Sequence, residues 1–158
     1  MMRNITKTLL TLLVFGFSAN GATYSYTGLE GIAKDGLDIL IEGYSKIDKT
    51  FDKKAIENQV ELKLRLAGIR VNKRAGNYIY VNARPHPMGV KTGGYAISIE
   101  AYRRDVTFEA NNKQYRCDAS VWHTGSITPA DDLRDSINEH MDEFLLDYLK
   151  ANPKKKDD

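Results

Sequence analysis

The sequence predicts an α+β domain, a mostly antiparallel sheet with two helices packed on one face, in the order β-α-β-β-β-β-α. Three observations carry this expectation. Two tracts, 52–67 and 128–152, place apolar residues at helical spacing. Five other runs alternate apolar and polar residues, the period of a half-buried strand. Short turn-forming stretches separate the later runs, and strands joined in that way pair antiparallel.

The first 22 residues have a different character. Met1 to Lys7 is short and basic, Thr8 to Phe17 is apolar, and Ser18 to Ala22 is made of small residues. That order is a secretory signal peptide. The apolar run is too short for the ~30 Å of a bilayer core, so cleavage is expected rather than anchoring. A single domain is expected over 23–153, with a polar tail at 154–158. After cleavage no integral membrane segment is expected.

Thr23 to Gly36 is polar and glycine-rich and reads as irregular. Leu37 to Glu42 is the first strand, and Gly43 to Lys46 turns the chain. "VELKLRLAGIRV", Val60 to Val71, alternates like a strand but consists of helix formers ahead of a glycine. Asp52 supplies a cap, because its carboxylate accepts amides of the first turn. Ile56, Val60, Leu64 and Ala67 then form one helical stripe, with Leu62 and Leu66 on a second stripe roughly opposite. A helix apolar on two sides needs two neighbours. The sheet is one. The last helix is the expected second, and another molecule is the alternative.

Ile69 to Val71, Tyr78 to Ala83 and Tyr95 to about Phe108 read as strands, and Arg84 to Gly94, with two Pro and three Gly, as a loop. Arg103-Arg104 interrupts the alternation, so one of them points inward or marks a bulge. Asn111-Asn112 is a hairpin turn candidate. Tyr115 to Ile127 is the return strand, with Cys117, Ala119, Val121 and His123 on one face and Arg116, Asp118, Ser120 and Trp122 on the other. Thr128, Pro129 and Asp131 open the last helix, Thr128 as its cap. Leu133, Ile137, Met141, Phe144, Leu145 and Tyr148 are its apolar stripe. Its acids read as a solvated face.

Charge and cysteine content exclude several functions. The chain has 23 Lys/Arg and 21 Asp/Glu, and removing Arg3 and Lys7 with the leader leaves 21 of each. A neutral product gives no support for a nucleic-acid partner. Cys117 is the one cysteine, so no internal disulfide is expected. It is expected to be buried and inert, an intermolecular disulfide being the alternative.

No catalytic signature emerges. His86, His123 and His140 have no partner at a zinc-ligand spacing, and no metal or cofactor is expected. Cys117 and His123 would share a strand face about 20 Å apart, too far to act as a pair. The chain has no Gly-x-Ser-x-Gly elbow. The remaining candidates are contact residues: Arg84, His86 and Lys91 in the expected 84–94 loop, Trp122 and His123 in the 122–125 segment, and Leu62 and Leu66 on the second helical stripe.

"VELKLRLAGIRV", "YIYVNA", "YAISIEAYRRDV", "VWHTGSI" and "LRDSINEHMDEFLLDYLKANP" resemble a family of small exported bacterial proteins of unassigned function, over roughly Leu37 to Pro153. The resemblance implies fold and export and supplies no catalytic residues. A fainter fold-level similarity is to small βα domains of Gram-negative envelope assembly proteins. The function expected is therefore an exported binding or assembly domain of the bacterial envelope, periplasmic, with a protein partner and no enzymatic step. The alternatives are a small-ligand binder or enzyme using the 84–94 loop and the 122–125 segment, and a secreted effector or inhibitor.

Overall fold

Residues 28–43, 51–88 and 92–153 are described by a computed structural model of the chain. The expected leader at 1–22, the turn after Gly43, Lys91 and the tail at 154–158 lie outside the described residues.

Strand β1 (Asp38–Gly43) is followed by helix α1 (Lys53–Leu66), strands β2 (Asn77–Met88), β3 (Thr92–Ala110) and β4 (Lys113–Pro129), a 3₁₀ turn (Ala130–Asp132) and helix α2 (Leu133–Ala151). The sheet order is β1-β2-β3-β4. β1 runs parallel to β2, while the β2–β3 and β3–β4 pairs are antiparallel. The expected α+β class, mostly antiparallel, holds. The strand expected at Ile69 to Val71 is a single parallel bridge from Val71 to Leu37, and this bridge fills the second β position of the expected order.

α1 forms as its sequence dictates. Asp52 accepts the Ala55 N–H at 3.0 Å and caps the first turn. Gly68, with φ of 80°, takes the left-handed turn after the last turn. Ile56, Val60 and Leu64 are buried. Helix α2 adds Leu133, Ile137, Met141 and Phe144 to the same core, and the sheet supplies Leu37, Ile41, Ile79, Val81, Ala83, Tyr95, Ile97, Ile99 and Ala101. The register aligns these side chains: Ile41 opposite Val81, Val81 opposite Ile99, Ala83 opposite Ile97. Each large member contributes about 1.5–3 kcal/mol of burial. Gly43 is required here, because an added Cβ would lie 2.2 Å from the Phe51 ring.

The leading segment 28–36 is irregular, as expected, but not peripheral. Leu29 and Ile32 are buried in the core. Asn152, at the end of α2, holds this segment: its Nδ2 donates to Leu29 O at 3.0 Å and its Oδ1 accepts the Gly31 N–H at 2.8 Å. Arg103 turns inward and donates to Gly28 O at 3.1 Å and to Glu30 O.

Several expectations need correction. The 84–94 loop is largely strand, since β2 continues to Met88 and β3 starts at Thr92. β1 pairs with β2 only as far as Ala83. Beyond it β2 is an edge, where Pro85 and Pro87 break no ladder on the β1 side. Thr128 does not cap α2. It is the buried end of β4, opposite Tyr95, and accepts the Ser136 hydroxyl at 2.8 Å. The β4 faces also differ from simple alternation. Ala101 pairs with Trp122 but Tyr102 pairs with Ser120, so Val121 is an extra residue. Trp122 therefore faces the helices, while Ser120 and Asp118 face the other way. The irregularity expected at Arg103-Arg104 is a second bulge, between Arg103 and Val106, with Asp105 at φ of 55°. Asn111 and Asn112 both have positive φ, 52° and 57°, as a two-residue hairpin turn requires.

Candidate functional site

The helix layer, the seam between α2 and β4, and the open sheet face each gather candidate side chains. On α1 the second stripe is not covered. Leu62 is 58% and Leu66 78% exposed, so the expected packing of this stripe under α2 does not occur. The cause is the way the helices meet. Gln59 Nε2 donates to Arg134 O at 2.8 Å, Arg134 Nε donates to Gln59 Oε1 at 3.2 Å, and Lys63 pairs with Asp142. These polar bridges join α1 to α2 on the core side of the leucines and leave them on the outer rim. The result is an open groove of about 710 Å³, lined by Ala55, Leu62, Leu66, Asn138 and Leu145 with the bridging residues.

The second region lies between β4 and α2. Trp122 Nε1 donates to Asp147 at 3.1 Å, and its ring meets Phe144 edge-on at 5.3 Å. Thr124 donates to Glu143 at 2.9 Å, Ser126 lies 2.8 Å from His140 Nε2, and Thr128 accepts from Ser136. Alternate residues of β4 meet residues three or four apart on α2, so each step of the strand matches about one helical turn. Ser126, His140 and Glu143 form a hydroxyl–imidazole–carboxylate row, with His140 Nδ1 3.4 Å from Glu143. This row is two rungs of the same ladder, and helix-on-strand packing accounts for it without a reaction. Among the described residues no group of three or more His, Cys, Asp or Glu side chains is placed to hold a metal ion.

The third region is the face of the sheet away from the helices. Tyr78 and Tyr102 stack at 4.9 Å, and Tyr80 meets Tyr102 edge-on at 6.4 Å. Each hydroxyl donates to a carboxylate: Tyr78 to Asp118 at 3.1 Å, Tyr80 to Glu42, and Tyr102 to Glu100 at 2.6 Å. Arg104 lies over the Tyr78 ring at 4.8 Å and 3.8 Å from Asp38. Burial and then the Glu42 hydrogen bond push Tyr80 up to about 12. The Glu100 hydrogen bond and then burial do the same for Tyr102, also to about 12. Tyr78 is raised chiefly by burial, and next by Asp118.

The sequence-predicted contact residues separate accordingly. Arg84 and His86 share the tyrosine face of β2 with Tyr80, and Arg84 borders a shallow hollow with Glu42, Lys53 and Asn82. His123 is exposed on that face, opposite Glu100. Trp122 is on the helix face. Arg84 and His86 are thus brought together on one side of the sheet, and Trp122 is not brought to them. Leu62 and Leu66 are together in the groove. Cys117 is exposed rather than buried, because it lies where β3 and β4 extend past β2 and no layer covers them. Sequence reasoning missed the tyrosines. Their signal was the period of two in "YIY", read only as strand propensity.

No family model matches the chain, and no curated relative matches it. Solved structures with a distantly similar arrangement include the following two. A PelC dodecamer from Paraburkholderia phytofirmans is 17% identical, with 75% of this chain and 88% of that chain covered, at a TM-score of 0.39. A minor lipoprotein from Acinetobacter baumannii is 7% identical, with 72% and 91% covered, at a TM-score of 0.31. Likeness of this size assigns neither partner nor activity.

Proposed function

We propose that this chain is an exported domain of the bacterial cell envelope that binds a partner protein through the α1–α2 groove and performs no catalytic step. The observation that carries the reading is the exposure of Leu62 and Leu66, 58% and 78%, side by side on a helix that already has a complete buried stripe. Neither leucine is needed for the core. Apolar side chains one turn apart beside a second helix offer a rim for the apolar residues of a docked protein. The signal-peptide pattern at 1–22 supports export. Among the described residues no helix is long and apolar enough to cross a membrane. The competing ligand-pocket reading needs Arg84, His86 and Trp122 around one cavity, and their placement on opposite sheet faces weighs against it.

Affinity capture of the tagged mature protein from native envelope extract, with cross-linking and mass spectrometry, tests the reading. A specific protein cross-linked near Lys63, and lost from the Leu62→Asp/Leu66→Asp variant, is the expected result. Recovery of nothing specific at physiological salt, or capture unchanged in that variant, overturns it.

A further inference from the structure

β4 is the last strand of the sheet, and among the described residues its outer edge has no partner. β2 stops pairing with β3 at Arg103, so the hairpin beyond it, through Asn111-Asn112 and back to Asp118, is a two-stranded arm. Lys113 to Asp118 are all exposed, so neither face of the arm is covered. Phe108 and Tyr115 stack on it at 5.5 Å with both rings exposed. A two-stranded ribbon is marginal in water, and an open edge of this length is a template for another strand.

The order of residues on that edge selects the strand that fits. Two copies of β4 running antiparallel about Cys117 place Arg116 of each copy opposite Asp118 of the other. Tyr115 then faces Ala119, and Gln114 faces Ser120. The pairing is bounded by the hairpin turn on one side and the Val121 bulge on the other. Shifting the centre by one residue sets Arg116 against Arg116, or Asp118 against Asp118, so charge discriminates among these registers. Arg116 has no ion-pair partner among the described residues, and is free to take one from outside. We infer that the chain forms a two-fold dimer in which β4 pairs with β4 of a second copy, centred on Cys117, to give a continuous four-stranded arm. This surface is separate from the α1–α2 groove, so the inference and the proposed partner site stand or fall independently.

Sedimentation equilibrium of the purified protein tests the dimer. A reversible dimer is expected, and the Leu62→Asp/Leu66→Asp variant should leave it unchanged. Arg116→Asp alone sets carboxylates opposite each other at two places, and Asp118→Arg alone sets guanidinium groups opposite each other. Each should weaken the dimer about tenfold. Mixing the two variants rebuilds both opposite-charge pairs and should restore the dimer as a heterodimer, which a merely destabilised arm would not do. On the unmodified protein, oxidised glutathione should join the two Cys117 thiols. The thiols lose two protons and two electrons, and the glutathione disulfide is reduced to two thiols. Cys117→Ser should abolish the covalent dimer and retain the reversible one. A monomer at every concentration, no covalent dimer with glutathione, or no recovery on mixing would overturn the inference.

Discussion

The two faces of the sheet come from the same strands, one residue out of step, yet they are held by different forces. On the helix side Ile79, Val81, Ile97, Ile99 and Ala101 meet the stripes of α1 and α2, and the stabilisation is removal of apolar surface from water. On the open side Tyr78, Tyr80 and Tyr102 cover one another and direct their hydroxyls to Asp118, Glu42 and Glu100. Aromatic rings give that face apolar cover without a third layer, while their polar ends stay at the water boundary. A single sheet can therefore keep one side closed and the other accessible.

Removing core volume should show the largest difference between the faces. Phe144→Ala empties a site against Trp122 and Tyr148 and should lower stability by about 3–5 kcal/mol in urea unfolding. His140→Ala acts on the seam, leaving Ser126 and Thr124 without an imidazole partner. Calorimetry should show a loss of about 1–3 kcal/mol. On the open face Tyr102→Phe keeps the stack and removes the bond to Glu100, for a loss of about 0.5–1.5 kcal/mol. A loss there as large as that of Phe144→Ala would mean that the two faces are not distinct in kind.

Alkali sharpens the same contrast. Tyr80 and Tyr102 stand at about 12 in the folded chain and near 10 when unfolded. The folded state therefore holds more protons in this interval. Their contribution is complete below pH 10 and is lost as pH rises toward about 12. Thermal melts should fall through that window, less steeply in the Tyr80→Phe/Tyr102→Phe double variant, and phenolate absorbance should lose two late-titrating groups in that variant. The smallest effect belongs to the groove rim, where Leu66→Lys should change stability by no more than about 0.5 kcal/mol.

Much of the fold was legible because the relevant patterns are local. The Asp52 cap, the Ile56–Val60–Leu64 stripe, Gly68 and the Asn111-Asn112 turn each state their own geometry. The α2–β4 seam was not legible. Thr124, Ser126 and Thr128 are polar on the buried side of β4, while Glu143 and Asp147 look solvated on α2, so polarity gave the wrong inside. The prolines of 84–94 read as loop, because a sequence does not say where a neighbouring strand ends. The exposure of Leu62 and Leu66 depended on Gln59, Lys63, Arg134 and Asp142 meeting across helices, a distance that no single-helix pattern contains. That Leu62 and Leu66 share a stripe apart from the buried one was nonetheless legible from periodicity alone.

Val121 has a consequence beyond its own position. It inserts one count into β4, so the half before it is in phase with the tyrosines and the half after it is in phase with the helices. Its side chain also meets Gly28 closely, leaving no space there for a Cβ. Deleting Val121 would set Ser120 beside Trp122 just as Tyr102 lies beside Ala101, so a plain alternation would still send Asp118 and Ser120 to the tyrosines and Trp122 to the helices. The deletion would instead take away the extra local twist of a bulge and the close contact against Gly28. The facing of β4 is thus set by its pairing with β3, and the inserted residue serves the leading segment.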